Sequence, residues 1–148
     1  MIQPVKQVIT QIFWSLIFLA SVCMQVSADT DNAALESDIR SVIESQLKAF
    51  ARGDASTAYA QASPEIRKMF PTEDIFMMMV RSGYRALIAP KRVDFLELVI
   101  DQNMPIYRVG IESSNGKRWI AFYTMDQQPD GSWLIGGCVL VVTTGQSV

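Results

Sequence analysis

The sequence predicts an α+β domain: helices first, packed on a curved antiparallel sheet of four strands. Two observations carry this. Up to about Gly83 the apolar residues recur at steps of three and four, and after Pro90 they recur at steps of two. Hairpin signals then punctuate the second half, at Asn115-Gly116 and Pro129-Asp130-Gly131. Helices followed by consecutive strands segregate to one face of an antiparallel sheet.

The chain opens on a segment with a different composition. Lys6 is the only charge before Asp29, and the 22 residues from Gln7 to Ala28 are uncharged and mostly apolar. A basic start, an apolar centre and the small residues Val26-Ser27-Ala28 form the pattern of a secretory signal peptide. The expectation is a removable segment at 1–28 and a single domain at 29–148, exported across the inner membrane to the periplasm or beyond. An uncleaved membrane anchor is the alternative, since about 20 apolar residues suffice to cross a bilayer. Lipidation at Cys23 is a weaker one, because Val22 is large for the residue before a lipidated cysteine.

Removing 1–28 takes away Lys6 alone among the charges, leaving 12 basic against 15 acidic residues and a net charge of −3. Mild acidity without a basic run argues against nucleic acid as a partner. One cysteine, Cys138, remains, so no internal disulfide can form and stability must come from packing.

Asp29–Ala33 reads as a short polar leader, with Asp31 or Asn32 able to cap the helix that follows. Leu35, Ile39, Val42, Ile43, Leu47 and Phe50 then make one apolar stripe. Glu36 with Arg40, and Glu44 with Lys48, are spaced to pair on the other side. Gly53 suits a left-handed helix end, and Asp54 caps a second short helix over 55–62. Ser63-Pro64-Glu65 is a third helix start, ending near Pro71, and Thr72-Glu73-Asp74 opens a fourth that runs to about Gly83. In the first strand Val93, Phe95, Glu97 and Val99 alternate with Asp94, Leu96, Leu98 and Ile100. Runs at 106–112, 119–125 and 133–142 supply the other three, with Trp119 and Trp133 expected to be largely buried.

Several segments resemble a bacterial family, domain of unknown function 4864. They are Gln46-Leu47-Lys48-Ala49-Phe50, Ala62-Ser63-Pro64-Glu65-Ile66, Met79-Val80-Arg81-Ser82-Gly83-Tyr84, the run from Tyr123 to Trp133 through Pro129-Asp130-Gly131-Ser132, and Gly137-Cys138-Val139-Leu140. The resemblance covers about Leu35 to Leu140. It implies an exported bacterial protein with a nuclear transport factor 2-like cone, open at one end, and it implies no activity. The Met77-Met78-Met79 run departs from the family pattern without threatening the fold.

The chain contains no histidine. It therefore lacks the usual general acid/base at neutral pH, and with one mature cysteine it lacks a zinc-ligand set. No phosphate loop, nucleophile elbow or calcium loop is present. Asp54, Glu65, Glu73 and Asp74 stand at helix starts, where a cap explains them, and Asp126 and Asp130 flank a turn. Cys138, after Gly136-Gly137, reads as an inert thiol beside a bulge or a close backbone approach. Neither a catalytic residue nor a cofactor is expected.

One feature exceeds what a core requires. Ile75-Phe76-Met77-Met78-Met79-Val80 is apolar on every side of a helix that needs one apolar stripe. It suits a pocket wall or an interface, or simply burial between sheet and neighbouring helices. Phe76, Val80 and Tyr84, at steps of four, with Met77 beside them, are the candidate ligand-binding residues; Met78 and Met79 would face the core or a second subunit. Three readings follow: a non-catalytic domain binding a small apolar ligand or a protein, an enzyme using tyrosine and a carboxylate, or a homodimer built on an apolar face.

Overall fold

The computed structural model describes residues 26–143. Most of the expected signal segment lies outside the described residues. Among those described, no helix is long and apolar enough to cross a membrane.

Helix α1 spans Val26–Arg52, and three short helices follow: α2 at Ala55–Ala60, α3 at Pro64–Met69 and α4 at Glu73–Gly83. A 3₁₀ turn at Arg85–Leu87 leads into strands β1 (Arg92–Asp101), β2 (Met104–Glu112), β3 (Arg118–Gln127) and β4 (Trp133–Val142). They form one antiparallel sheet in the order β1-β2-β3-β4, open and curved, with the helices preceding it as the sequence predicts.

The expected polar leader at 29–33 is a correction. It is helical, because no glycine or proline interrupts the chain between Val26 and Arg52. The caps fall where expected: Asp54 accepts from Thr57 N, Ser63 from Ile66 N and Thr72 from Ile75 N. Gly53 takes φ +68 at the end of α1. Along α1 the buried stripe is Ile39, Ile43, Leu47 and Phe50, joined by Ala49 and by Gln46. Glu44 pairs with both Arg40 (2.9 Å) and Lys48 (3.3 Å). Glu36 does not pair with Arg40; its Oε1 accepts from the hydroxyl of Tyr107 at 2.6 Å.

Both outer strands carry an irregularity that resets the side-chain alternation. In β1 the register shifts between Phe95 and Glu97, so Leu96 is the extra residue. Val93 and Phe95 before it, and Leu98 after it, face the helices, whereas Glu97 and Val99 turn outward. The uninterrupted alternation expected for this strand therefore fails halfway. In β4 the shift falls at Gly136, between the pairs Thr124↔Gly137 and Met125↔Ile135. A Cβ on Gly136 would lie 2.6 Å from the Asp126 carboxylate, and one on Gly137 would lie 2.9 Å from Thr124 Oγ1. The bulge expected at these glycines is therefore present, and the close approach beside it is by side chains of β3, not by backbone.

The turns at Gly116 (φ +83) and Gly131 (φ +87) are left-handed as expected. The β1–β2 turn, unmarked by glycine, puts Gln102 at φ +47 and Asn103 at φ +67. Trp119 and Trp133 are half-buried, not largely buried. They sit at opposite ends of the β3–β4 ladder, Trp119 opposite Val142 and Trp133 opposite Gln127, beyond the packed centre. That centre is built from Tyr107, Val109, Ile111, Ala121, Tyr123, Met125 and Ile135, against Ile39 and Ile43. The outward face of the sheet is unusually apolar, with Val139 61% and Val141 47% exposed beside half-buried Ile106, Ile120 and Phe122.

Candidate functional site

The Gln61–Ser63 segment ties the helical layer to the start of β4. Ile135 N donates to Gln61 O and Ser63 N donates to Ile135 O, both at 2.8 Å, making a parallel bridge between Ala62 and Ile135. Above this junction, α1, α3, α4 and the first half of β4 line a cavity of about 410 Å³ that is open on one side. Its wall is formed by Phe50 from α1, Ile66 and Met69 from α3, Phe70 after it, Phe76, Met79 and Val80 from α4, and Leu87 from the 3₁₀ turn. Gln46, Ala62, Tyr84, Ile135 and the stretch Gly136–Cys138 complete it.

Phe76 is the hub of the apolar side. Its ring lies 5.6 Å from that of Tyr59 and 6.3 Å from those of Phe50 and Phe70. The rings close one end, while Met69, 62% exposed, stands where a flexible thioether can move aside.

Three of the four residues singled out in the sequence, Phe76, Val80 and Tyr84, line this cavity. Met77 does not; it is 2% exposed and belongs to the core. Met79 takes the place expected of Met77, and Met78, 63% exposed, faces away from both. The line 76-80-84 thus borders the cavity, and the flank that widens it is the opposite one. Gln46, Cys138, Phe50 of α1 and Phe70 after α3 were not foreseen as part of a site. The spacing of Gln46, three residues after Ile43 and four before Phe50, was the available signal that it shares their face.

No charged side chain lines the cavity. Tyr84 donates its hydroxyl to Cys138 O at 3.0 Å, and Gln46 Nε2 donates to Ala58 O at 3.2 Å. Burial, with a smaller contribution from Cys138, raises the pKa of Tyr84. Burial pushes the Cys138 thiol up to about 12, so at neutral pH the thiol is protonated and a weak nucleophile. Among the described residues the one tyrosine–carboxylate hydrogen bond, Tyr107 to Glu36, is not part of the cavity wall.

Tyr107, Tyr123 and Cys138 form a cross-strand row on the helix-facing side. Burial and the Glu36 carboxylate raise Tyr107 to about 12, and burial raises the fully enclosed Tyr123 well above its usual value. The Tyr123 hydroxyl has no hydrogen-bond partner in the structure. All three acids have native pKa values above their unfolded ones, near 10 for tyrosine and 9 for cysteine. The unfolded chain therefore releases protons first as pH rises. Stability from this row is complete below about pH 9 and falls as pH climbs towards 12. Urea unfolding from pH 7 to 11 should show that decline, and Cys138→Ala should move its onset up by about one pH unit towards the tyrosine value. An onset unchanged by the substitution would remove Cys138 from the account.

A second, more polar groove of about 750 Å³ is lined by Arg81, Arg85, Ala86, Ile88, Ser113, Ser114, Asn115 and Trp119. Among the described residues no group of three or more His, Cys, Asp or Glu side chains could hold a metal ion.

No curated protein and no solved structure shows a significant match to the chain. Residues 32–148 match the family described as Domain of unknown function (DUF4864), which covers the helices but for the first turns of α1, the sheet and every residue lining the cavity. With that match over most of its length, the chain belongs to this family, which its Pro-Asp-Gly-Ser-Trp turn and Gly-Cys strand resemble.

Proposed function

We propose that this chain is an exported, non-catalytic domain that takes up a small apolar molecule in the cavity between α4 and β4. The observation that carries the reading is the cavity itself: about 410 Å³, walled by three phenylalanines, two methionines and aliphatic residues, with a few uncharged polar atoms. Sites for small molecules have this size and make-up. A catalytic reading has less to work with, since no carboxylate lines the wall and its thiol is held protonated. Export rests on the composition of residues 1–28.

Met79 provides the test, because it is half-exposed and lines the cavity without filling the core. Met79→Asp should weaken uptake of an uncharged fluorescent dye such as Nile red more than about tenfold, since a carboxylate makes an apolar wall costly to desolvate. The melting temperature should change by no more than a few degrees. Retained dye binding in a folded variant would place the site elsewhere.

A second reading concerns the outward face of the sheet. Its apolar centre at Ile120, Phe122, Val139 and Val141 is flanked by the ion pairs Arg108–Glu97 and Arg92–Asp94, each internally neutralised. Such a face has no net charge to repel its own copy, and a two-fold axis would set it against itself. If a second copy covers it, native mass spectrometry will report a dimer that Phe122→Lys converts to monomer while dye uptake persists. A monomer in the unsubstituted protein overturns this reading.

A further inference from the structure

The polar atoms left over in the cavity indicate what kind of molecule it takes, granted that it binds one as proposed above. Gln46 is 4% exposed, an unusual setting for a glutamine. Its amide orientation is fixed: Nε2 donates to Ala58 O, so the carbonyl end points the other way. Oε1 has no partner in the structure, yet it is not among the sealed-off polar atoms, and Gln46 is part of the cavity wall. A buried acceptor without a donor costs free energy until something supplies one. Tyr84 repeats the pattern, since its proton is committed to Cys138 O and its phenolic oxygen can only accept from a ligand.

Charge is the other constraint. No cation lines the cavity to meet an anion, and no carboxylate lines it to meet an amine. The nearby Asp126 carboxylate, packed against Gly136, adds negative charge behind one wall. An ionised headgroup would therefore be buried without a partner.

We infer that the ligand is an uncharged amphiphile: an apolar body seated against Phe50, Phe70 and Phe76, carrying a hydroxyl or N–H that donates to Gln46 Oε1, with Tyr84 Oη as a second acceptor. Carboxylates of the same shape are excluded by the same wall. The inference separates neutral alcohols and phenols from fatty or aromatic acids, which the cavity volume alone does not.

Three probes with one ring system decide it. Naphthalene, 2-naphthol and 2-naphthoate are titrated into the full protein at pH 7 and followed by calorimetry or probe fluorescence. The expected order is 2-naphthol first, three- to tenfold tighter than naphthalene, the range of one net hydrogen bond. Naphthoate should be at least tenfold weaker than naphthol. In Gln46→Leu the advantage of naphthol over naphthalene should vanish, a ratio internal to that variant and insensitive to modest loss of stability. Tyr84→Phe, which keeps the ring, should reduce the same ratio less. Equal binding of naphthol and naphthalene, or tightest binding of naphthoate, overturns the inference while leaving an apolar binding site intact. If none of the three binds, the proposed function fails with it.

Discussion

Phe76→Ala should destabilise the domain by about 3–5 kcal/mol, the range for truncating a large buried aromatic. Phe76 is 4% exposed and its ring meets those of Phe50, Tyr59 and Phe70, so one truncation removes three aromatic contacts. The cost should fall at the upper end because the ring already borders a void. Its neighbours cannot collapse into the space without abandoning packing elsewhere, and the new hole adds to the 410 Å³ present. For a domain of this size the melting temperature should drop on the order of 10–20 °C. Phe76→Leu, which keeps most of the volume, should cost less than half as much. Urea unfolding of the two variants measures both, and a loss below about 1 kcal/mol for the alanine would mean that the cluster contributes little to the fold.

Met77→Asp should be at least as severe at neutral pH, and its pH dependence identifies the cause. Met77 is 2% exposed, so the new carboxylate would be ionised only at a large desolvation cost. Its native pKa must rise above the unfolded value of about 3.9. The folded form then holds its proton longer than the unfolded chain. Relative to Met77→Asn, the variant should be little changed below about pH 4, then lose about 1.4 kcal/mol per pH unit up to the raised pKa. Total stabilities of 5–15 kcal/mol leave little by pH 7. Met79→Asp, two residues away, should show almost none of this slope. If the two aspartates behave alike, α4 does not present one flank to the core and the other to the cavity.

That pair of methionines also shows where the sequence stopped being legible. The steps of four from Phe76 to Val80 to Tyr84 fix one line along α4, and the line does face the cavity. Which neighbour widens it depends on the sense in which the helix is rolled against the sheet. A polar residue on one flank would have shown this, but Met77, Met78 and Met79 are chemically identical. The helix starts were readable because capping is local: Asp54, Ser63 and Thr72 each bond the backbone three residues on. The bulge at Leu96 was not, because an extra residue in one strand is defined only by its partner strand, whereas Gly136-Gly137 marks the one in β4. The β1–β2 turn was missed because Gln102 accepts a positive φ without the glycine that usually announces it. Gln46 was passed over for the opposite reason: an amide among aliphatic residues looks like a lapse in the stripe until the cavity beside it is seen.

The two edges of the sheet are finished differently, and this bears on how the protein behaves when concentrated. Along β1 the bulge at Leu96 and the charges of Arg92, Asp94 and Glu97 spoil the edge as a template for another chain. Along β4 the Gln61–Ser63 segment occupies only Ile135. Beyond it the Tyr84 hydroxyl caps Cys138 O, from Val139 to Val142 no strand among the described residues pairs with the open side, and Cys138-Val139-Leu140-Val141-Val142 contains neither charge nor proline. Five consecutive apolar residues of high strand preference, capped on the open side at Cys138 alone, have the composition of segments that stack into cross-β fibrils. During folding the same segment stays exposed until β3 pairs with it and the Tyr84 hydroxyl reaches Cys138 O, so the contact that closes this wall of the cavity is also a safeguard against fibril growth.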